Sequence, residues 1–206
     1  MAEVSEDDKR QLAVRVKRQL RLRMRQLRMA LPAARLAERS ARIVQALAAL
    51  GEFDGARSIA LFYPMSERHE VDLRELDARA RAAGKRVFYP FMDPTEGGFR
   101  TGFRRVTSLE SLVDRGRGFR EPSDGDVAEA GDVDLVVVPA LAATEQGDRL
   151  GYGLGFYDST LSDVRPPATA VVVVFDFQLV VELPREPRDV RCDLVVSDER
   201  VLRVEA

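Results

Sequence analysis

The sequence predicts an α/β fold with a mostly parallel sheet, because segments with helical and strand-like patterns alternate along it. The first half follows the order helix, helix, strand, helix, strand, which is typical of parallel strands joined by crossover helices. Two short apolar runs, 134–139 and 170–175, are typical of strands buried in such a sheet. The chain has 206 residues and no linker rich in Pro, Gly or Ser, so we expect one domain over residues 1–206.

The composition excludes several classes of protein. Hydrophobic residues make up 45% of the chain, which is enough for a sizeable core and argues against disorder. The formal net charge is −2, so the protein as a whole is not a general polyanion binder. Cys192 is the single cysteine, which rules out an internal disulfide and a cysteine-based metal cluster. Because the sequence has no signal-peptide pattern and no apolar stretch of bilayer length, we expect a cytoplasmic protein without a membrane partner.

The first predicted helix is strongly basic, since no acidic residue occurs from position 9 to position 37. Apolar residues recur along it at steps of three and four and predict one buried face, made of Leu12, Val16, Leu20, Met24, Leu27 and Leu31. The cations form two further groups, Arg15, Arg18, Arg25 and Arg28 on a second face and Lys17 with Arg21 on a third. They fit two interpretations, a solvated surface of a packed helix or a set of cations that reach a phosphate.

Further elements follow from local patterns along the chain. Pro32 and Gly51 fit the start and the end of a second helix. Asp72 and Glu75 have the spacing of a capping box at the start of a third helix, which Gly84 ends. Strands are predicted over 57–64, 85–91, 134–139, 170–175 and 193–197, with an edge strand over 99–106, a short helix over 109–113 and a long loop over 118–132.

The most specific stretch is 149–158, in which glycine occupies every second position from Gly151 to Gly155. A strand is predicted before this stretch and a helix from about Phe156, and a glycine loop in that setting aims backbone N–H groups at an anion. Arg149 is suited to clamp phosphate oxygens and Asp158 to hold Mg²⁺. The stretch is not a Walker A loop, because no Gly-Lys-Ser/Thr follows the glycines. The glycines alone would also fit a mobile surface turn.

Other polar residues carry less specific signals. Glu70 follows the carboxyl end of a predicted strand, where ligands bind in open α/β sheets, although an ordinary solvated acid fits the same pattern. His69 is the only histidine, and in a polar loop it is more typical of a surface residue than of a catalyst. Asp189 by itself has the pattern of a turn residue ahead of the last strand. No Ser/His/Asp site and no metal–histidine site is predicted.

Several blocks of sequence, in a fixed order, match the pattern of a known family. They lie at 17–21, 63–72, 84–90, 119–122, 134–139, 147–158, 175–178 and 183–189. The most specific block is Gly147-Asp-Arg-Leu-Gly-Tyr-Gly-Leu-Gly-Phe-Tyr-Asp158. With these blocks the chain resembles the 5-formyltetrahydrofolate cyclo-ligases, also called methenyltetrahydrofolate synthetases. The resemblance extends from about Lys17 to Ser197.

The resemblance implies a single three-layer α/β/α domain with a basic N-terminal helix. It also implies the ATP- and Mg²⁺-dependent conversion of 5-formyltetrahydrofolate to 5,10-methenyltetrahydrofolate, with release of ADP and phosphate. In that reaction the formyl oxygen attacks the γ-phosphate of ATP, N10 attacks the activated carbon, and phosphate leaves. Phosphoryl transfer depends on positioning and charge neutralisation more than on a nucleophilic side chain, which agrees with the absence of a Ser, Cys or His constellation.

The resemblance also implies roles for individual residues in the matching blocks. The implied catalytic residues are Arg149 and Tyr157, and the implied metal ligands are Asp158 and Asp189. The implied substrate-binding residues are Met65, Glu70 and Tyr152, with Glu70 at the polar edge of the pterin. The implied ATP-binding residues are Lys17, Arg21, Arg149, Leu150, Gly151, Tyr152, Gly153, Leu154, Gly155, Phe156 and Tyr157.

The chain departs from the family pattern in a few places. Residues 139–144 are Pro-Ala-Leu-Ala-Ala-Thr where the family usually has Pro-Gly-x-Ala-Phe-Asp, Ser159 stands where arginine is common, and Arg188 where histidine is common. These departures leave open a family member that uses MgATP on another formyl or carboxyl compound. A non-enzymatic module that binds RNA or a membrane surface through the basic helix is a further alternative. The cyclo-ligase hypothesis itself carries the expectation of a monomer with small-molecule ligands and no nucleic acid.

Overall fold

The computed structural model describes residues 5–116 and 118–205. Within these ranges the helices are α1 (Glu6–Met29), α2 (Ala33–Ala48), α3 (Gly51–Gly55), α4 (Arg74–Ala82) and α5 (Phe156–Val164). The strands are β1 (Ser58–Ala60), β2 (Arg86–Thr95), β3 (Gly98–Arg105), β4 (Leu112–Asp114), β5 (Arg120–Pro122), β6 (Leu135–Pro139), β7 (Ala142–Ala143), β8 (Arg149–Leu150), β9 (Thr169–Val173), β10 (Leu194–Val196) and β11 (Val201–Arg203).

Seven strands of the described ranges form one sheet, in the order β11-β10-β9-β6-β1-β2-β3. The strands from β10 to β2 in this order are parallel to one another, whereas β3 and β11 pair antiparallel at the two edges. The predicted α/β fold with a mostly parallel sheet is therefore confirmed, as is the edge position of the strand predicted over 99–106.

Side chains of the parallel strands alternate between two apolar cores, one on each face of the sheet. Val137 of β6 belongs to the first core, together with Leu47 of α2 and Leu76 of α4. The next residue, Val138, belongs to the second core together with Leu161 of α5. Period-two alternation in a strand produces this division, and the helices on both faces give the three-layer α/β/α arrangement.

Helix α1 packs on a small antiparallel pair, β7 with β8, rather than directly on the main sheet. Met24 is buried there between Leu141 and Leu150. The predicted apolar face of α1 is wrong in part, because Leu12 is 61% exposed and Leu27 is 41% exposed. Residues 7–12 are all exposed, so the first turns have no core to join. Although α1 is long, neither it nor any other described helix has the apolar character that crossing a membrane requires.

Several local predictions are wrong or incomplete. The capping box is not formed, because Leu73 is the N-cap residue of α4 and Asp72 accepts hydrogen bonds from the backbone and the guanidinium of Arg74. Gly51 begins α3 instead of ending α2. The loop predicted over 118–132 contains β5, which pairs with β4, and the helix predicted over 109–113 is a short 3₁₀ turn followed by β4. Segments 109–113 and 118–132 were mispredicted because β4 and β5 are short strands that pair with each other, and three-residue strands carry little periodic signal.

The first core gives a test of the fold. Leu47 is fully buried, whereas Leu12 is 61% exposed. We expect Leu47→Ala to lower the free energy of unfolding by about 2–5 kcal/mol, because it leaves a cavity between α2 and the sheet. Leu12→Ala, the same substitution on the exposed part of α1, should change it by less than about 0.5 kcal/mol. Urea unfolding followed by circular dichroism measures both, and equal stability of the two variants would contradict the described core.

Candidate functional site

A cavity of about 510 Å³ opens where the strand order of the sheet reverses. Tyr63 follows the carboxyl end of β1, Pro139 ends β6, and both line the cavity. The chain continues from β1 to β2 on one side, while β6 leads to β9 on the other. Ligands bind at such reversal points in open α/β sheets. Every residue to which the resemblance gives a role lines this cavity.

The glycine loop, residues 151–155, forms one wall of the cavity. It lies between β8 and α5, so the strand that precedes it is β8 and not the predicted strand over 134–139. Helix α5 begins at Phe156, as predicted. Gly153 and Gly155 have φ angles of +101° and +68°, a conformation that residues with a Cβ rarely adopt. Two of the glycines are therefore required by the backbone path itself.

Arg21 of α1, which is 130 residues away from the loop in sequence, binds the backbone of this loop. Its Nε donates a hydrogen bond to the carbonyl oxygen of Gly151 at 3.0 Å. Burial, and next the nearby charge of Arg25, lower the pKa of the Arg21 guanidinium. A negatively charged ligand in the cavity would therefore stabilise the charged form of the Arg21 guanidinium.

Acids and bases pair along the cavity wall. Nη2 of Arg149 donates to Oδ1 of Asp158 at 2.6 Å, and the Arg149 side chain is only 5% exposed. Nζ of Lys17 lies 3.0 Å from Oε1 of Glu186 and 3.3 Å from Oδ2 of Asp189. The hydrogen bond from Lys17 is the main cause that lowers the pKa of Glu186. The cations predicted to bind phosphate and the carboxylates predicted to bind metal thus meet in one cavity and neutralise one another.

Asp158 and Asp189, the two carboxylates predicted to bind metal, come from separate segments of the chain and both line the cavity. The backbone N–H of Val190, the residue after Asp189, points to Oδ1 of Asp158 at 3.4 Å. Within 5–116 and 118–205 no group of three or more His, Cys, Asp or Glu side chains is arranged to hold a metal ion. Any metal site in this cavity therefore depends on a few carboxylate oxygens together with oxygens from a ligand.

Glu70 is buried, with 4% of its surface exposed, so the interpretation as an ordinary solvated acid is wrong. Its Oε2 accepts a hydrogen bond from the backbone N–H of Met65 at 2.9 Å, and its Oε1 accepts one from the Tyr152 hydroxyl at 2.5 Å. Burial raises the pKa of Glu70, and the hydrogen bonds from Tyr152 and Met65 and the charges of Arg28 and Arg68 oppose that rise. The structure thus brings the three predicted substrate-binding residues into direct contact.

Arg28 was grouped wrongly from the sequence. It is 2% exposed, and its Nη2 donates to the Tyr152 hydroxyl at 2.6 Å. The spacing of Lys17, Arg21 and Arg28 is four and then seven residues, which places them on one face of α1. The sequence-based prediction placed Arg28 on another face, together with Arg15, Arg18 and Arg25, and left open whether those cations are solvated or reach a phosphate. The spacing from Lys17 and Arg21 was the signal that sets Arg28 apart.

The rest of the wall is mostly aromatic and apolar. Its members outside the predicted set include Phe62, Tyr63, Met92, Phe99, Phe119 and Arg120. Cζ of Arg120 lies 5.0 Å from the centroid of the Tyr63 ring. Walls of this kind suit flat, partly apolar ligands. These residues come from separate strands and loops, so no local sequence pattern links them to the glycine loop.

Tyr157 lies at the start of α5 among other rings. Its ring centroid is 4.9 Å from that of Phe156 and 6.4 Å from that of Phe103. Burial raises the pKa of its hydroxyl, so the group remains protonated near neutral pH. Tyr157 can therefore donate a hydrogen bond to a ligand but does not carry negative charge.

Most of the departures from the family pattern lie away from the cavity. Of residues 139–144 only Pro139 lines it, while Leu141, Ala142 and Ala143 are fully buried in the protein. Ser159 is exposed and is not part of the wall. Arg188 is part of the wall, with a side chain that is 83% exposed. The cavity surface thus departs from the family pattern mainly at its rim.

Comparison with known proteins gives a consistent result. Residues 13–198 match the model of the 5-formyltetrahydrofolate cyclo-ligase family. The chain is 33% identical over 149 residues to 5-formyltetrahydrofolate cyclo-ligase of Escherichia coli K12, which covers 71% of this chain and 80% of that protein. It is 40% identical over 92 residues to the Mycolicibacterium smegmatis protein of the same name. That alignment covers 44% of this chain and spans about half, 47%, of the relative.

Solved structures agree with the sequence comparison. The NMR structure of Aquifex aeolicus 5,10-methenyltetrahydrofolate synthetase matches with a TM-score of 0.79 at 30% identity, over 93% of this chain and 94% of that chain. A synthetase structure from Mycoplasma pneumoniae, 22% identical with a TM-score of 0.70, shares the fold. On the strength of the family match over most of its length, the chain belongs to the 5-formyltetrahydrofolate cyclo-ligase family.

Proposed function

We propose that this protein catalyses the ATP- and Mg²⁺-dependent conversion of 5-formyltetrahydrofolate to 5,10-methenyltetrahydrofolate, with release of ADP and phosphate. One observation carries the proposal. Cations suited to phosphate, carboxylates suited to a metal ion and a buried glutamate suited to a pterin all line the same cavity. Membership of the cyclo-ligase family supports it.

The nucleotide lies against the glycine loop, where the missing side chains let the backbone approach the phosphates closely. Lys17, Arg21 and Arg149 supply positive charge to the phosphate oxygens. Arg149 acts as the catalytic cation, since phosphoryl transfer depends on neutralising charge on the transferred group. Tyr157, with its protonated hydroxyl, acts as a catalytic hydrogen-bond donor. The remaining nucleotide-binding residues are Leu150, Gly151, Tyr152, Gly153, Leu154, Gly155 and Phe156.

Asp158 and Asp189 fit a Mg²⁺ ion by their chemistry. Magnesium prefers oxygen ligands and is usually bound by one or two carboxylates together with substrate phosphates, which suits a cavity with few acidic side chains. Both carboxylates pair with cations, Asp158 with Arg149 and Asp189 with Lys17. When bound, the metal neutralises charge on the phosphates. Arg149 and Lys17 then turn from the carboxylates to the phosphate oxygens.

The folate lies on the Glu70 side of the cavity. Glu70 accepts hydrogen bonds from the polar edge of the pterin, and Met65 and Tyr152 border the ring. The formyl oxygen forms a bond to the γ-phosphorus as the bond from that phosphorus to ADP breaks. N10 then attacks the activated formyl carbon and loses its proton, and the bond from that carbon to the phosphate oxygen breaks. Positioning in a charged cavity does this work without a side-chain nucleophile.

Neither alternative function gains support from the cavity. A changed substrate would be expected to alter its wall, yet of the departures from the family pattern only Arg188 lines it, with a side chain that is 83% exposed at the rim. The basic helix presents Arg15 and Arg18 to solvent, but the cations on its cavity side, Lys17, Arg21 and Arg28, contact protein groups and are not available to RNA. We further propose that residues 1–206 act as one domain, in a cytoplasmic monomer without nucleic-acid or membrane partners, because the proposed site draws all its residues from one chain.

Coupled product formation tests the proposal. With MgATP and 5-formyltetrahydrofolate we expect methenyl absorbance to grow in step with ADP, one for one, because the formyl oxygen that leaves as phosphate is activated once per ring closure. Omission of Mg²⁺ or addition of a chelator should stop both signals. ADP release only with some other formyl or carboxyl compound would support the changed-substrate alternative instead.

Asp158→Asn tests the proposed metal carboxylate. We expect ADP formation to fall at least about 100-fold, because the charge that holds the metal is lost without a change of volume. Asp163→Asn is the matched control, since Asp163 is an exposed residue of the same helix and lies outside the cavity wall. Thermal melting checks that both variants fold. Normal turnover by Asp158→Asn would remove Asp158 from the site.

A further inference from the structure

A run of hydrogen bonds joins three distant parts of the chain behind the cavity wall. Nη2 of Arg28 donates to the Tyr152 hydroxyl at 2.6 Å, and that hydroxyl donates to Oε1 of Glu70 at 2.5 Å. The other carboxylate oxygen, Oε2, accepts from the backbone N–H of Met65 at 2.9 Å. A carboxylate has about four acceptor positions. Two are thus fixed by the protein, and two remain for a ligand with paired donors.

The Arg28 side chain is buried inside the protein. It is 2% exposed, and its Nε has no hydrogen-bond partner among the described residues. A buried cation is costly unless a negative charge compensates it. The nearest compensation through hydrogen bonds is Glu70, reached by way of the Tyr152 hydroxyl.

A second contact ties the same end of α1 to the loop that carries Glu70. Nδ1 of His69 lies 3.1 Å from the carbonyl oxygen of Arg28. His69 has a φ angle of +50°, a left-handed conformation that is uncommon for residues other than glycine. The end of α1, the loop before Glu70 and the glycine loop therefore meet around Tyr152.

Three arginines surround Tyr152, but they contact it differently. The guanidinium carbons of Arg68, Arg25 and Arg28 lie 5.1, 5.5 and 5.8 Å from the centroid of the ring. In the described part of the chain, only Arg28 among them donates a hydrogen bond to the hydroxyl. Arg25 thus offers an internal comparison, a cation of the same helix near the same ring without that bond.

We propose that Arg28 is a positioning residue for the folate half of the site. It holds the Tyr152 hydroxyl against Glu70, and so fixes the carboxylate in the orientation that the polar edge of the pterin requires. This inference rests on the proposed function, in which Glu70 receives the pterin.

A double-mutant cycle tests the inference in the full-length protein. We expect Tyr152→Phe to raise the KM for 5-formyltetrahydrofolate about tenfold, and Arg28→Met about fivefold, as for the loss of hydrogen bonds to a charged group. In the double variant the KM for 5-formyltetrahydrofolate should rise no more than about tenfold, because both substitutions interrupt the same chain of hydrogen bonds. The KM for ATP should change less than about twofold in Arg28→Met, because Arg28 does not line the cavity. A merely structural role would shift both KM values and would multiply the two effects to about fiftyfold.

Arg25→Met is the matched control and should keep the wild-type KM for 5-formyltetrahydrofolate within about twofold. An unchanged KM in Arg28→Met, or independent effects that multiply, would overturn the inference. If Arg28→Met does not fold, Tyr152→Phe decides by itself, since an unchanged KM in that variant also overturns it. A wild-type protein that forms no ADP with 5-formyltetrahydrofolate would instead remove the proposed function, and the positioning role with it.

Discussion

The site depends on helix α1, whose cations lie against acceptors from much later parts of the chain. Lys17 pairs with Asp189, which is 172 residues away. Arg21 binds the glycine loop and Arg28 binds Tyr152. Charged groups that are partly withdrawn from water need such partners, because an unpaired charge in the protein costs several kcal/mol or more. The apolar contact of Met24 with β7 and β8 holds the helix where these pairs can form.

The same pairs explain how a cavity can hold many charges before a ligand arrives. Arg149 pairs with Asp158 and Lys17 with Asp189, so these four groups each have a counterion before a ligand binds. In the proposed reaction the two carboxylates would hold the metal and the two cations would bind phosphate oxygens. Each of the four groups would then exchange one oppositely charged partner for another.

Among the residues that the structure describes, no Ser, Thr, Cys or His lines the cavity, which agrees with this use of charge. Cys192 is buried, and burial raises the pKa of its thiol to about 11, so it is not a reactive thiolate at neutral pH. His69 is not part of the cavity wall and its ring contacts the backbone of α1. What remains in the cavity is a set of cations, carboxylates and aromatic rings. These groups can position the reactants and neutralise the charge of the phosphates, which are the two requirements of phosphoryl transfer.

The sequence by itself determined the parts of this protein that depend on neighbours in the chain. The apolar runs of β6 and β9, the start of α5 at Phe156 and the glycine loop could be predicted, because side-chain period and backbone freedom are local properties. The resemblance added the candidate residues, from Lys17 to Asp189, that line one cavity. The tertiary structure alone decided which acceptor each cation meets, that Glu70 is buried, that Leu12 is exposed, and that Arg28 belongs with Lys17 and Arg21. These outcomes depend on contacts between segments that are far apart in the chain, where burial and charge pairing outweigh any local preference.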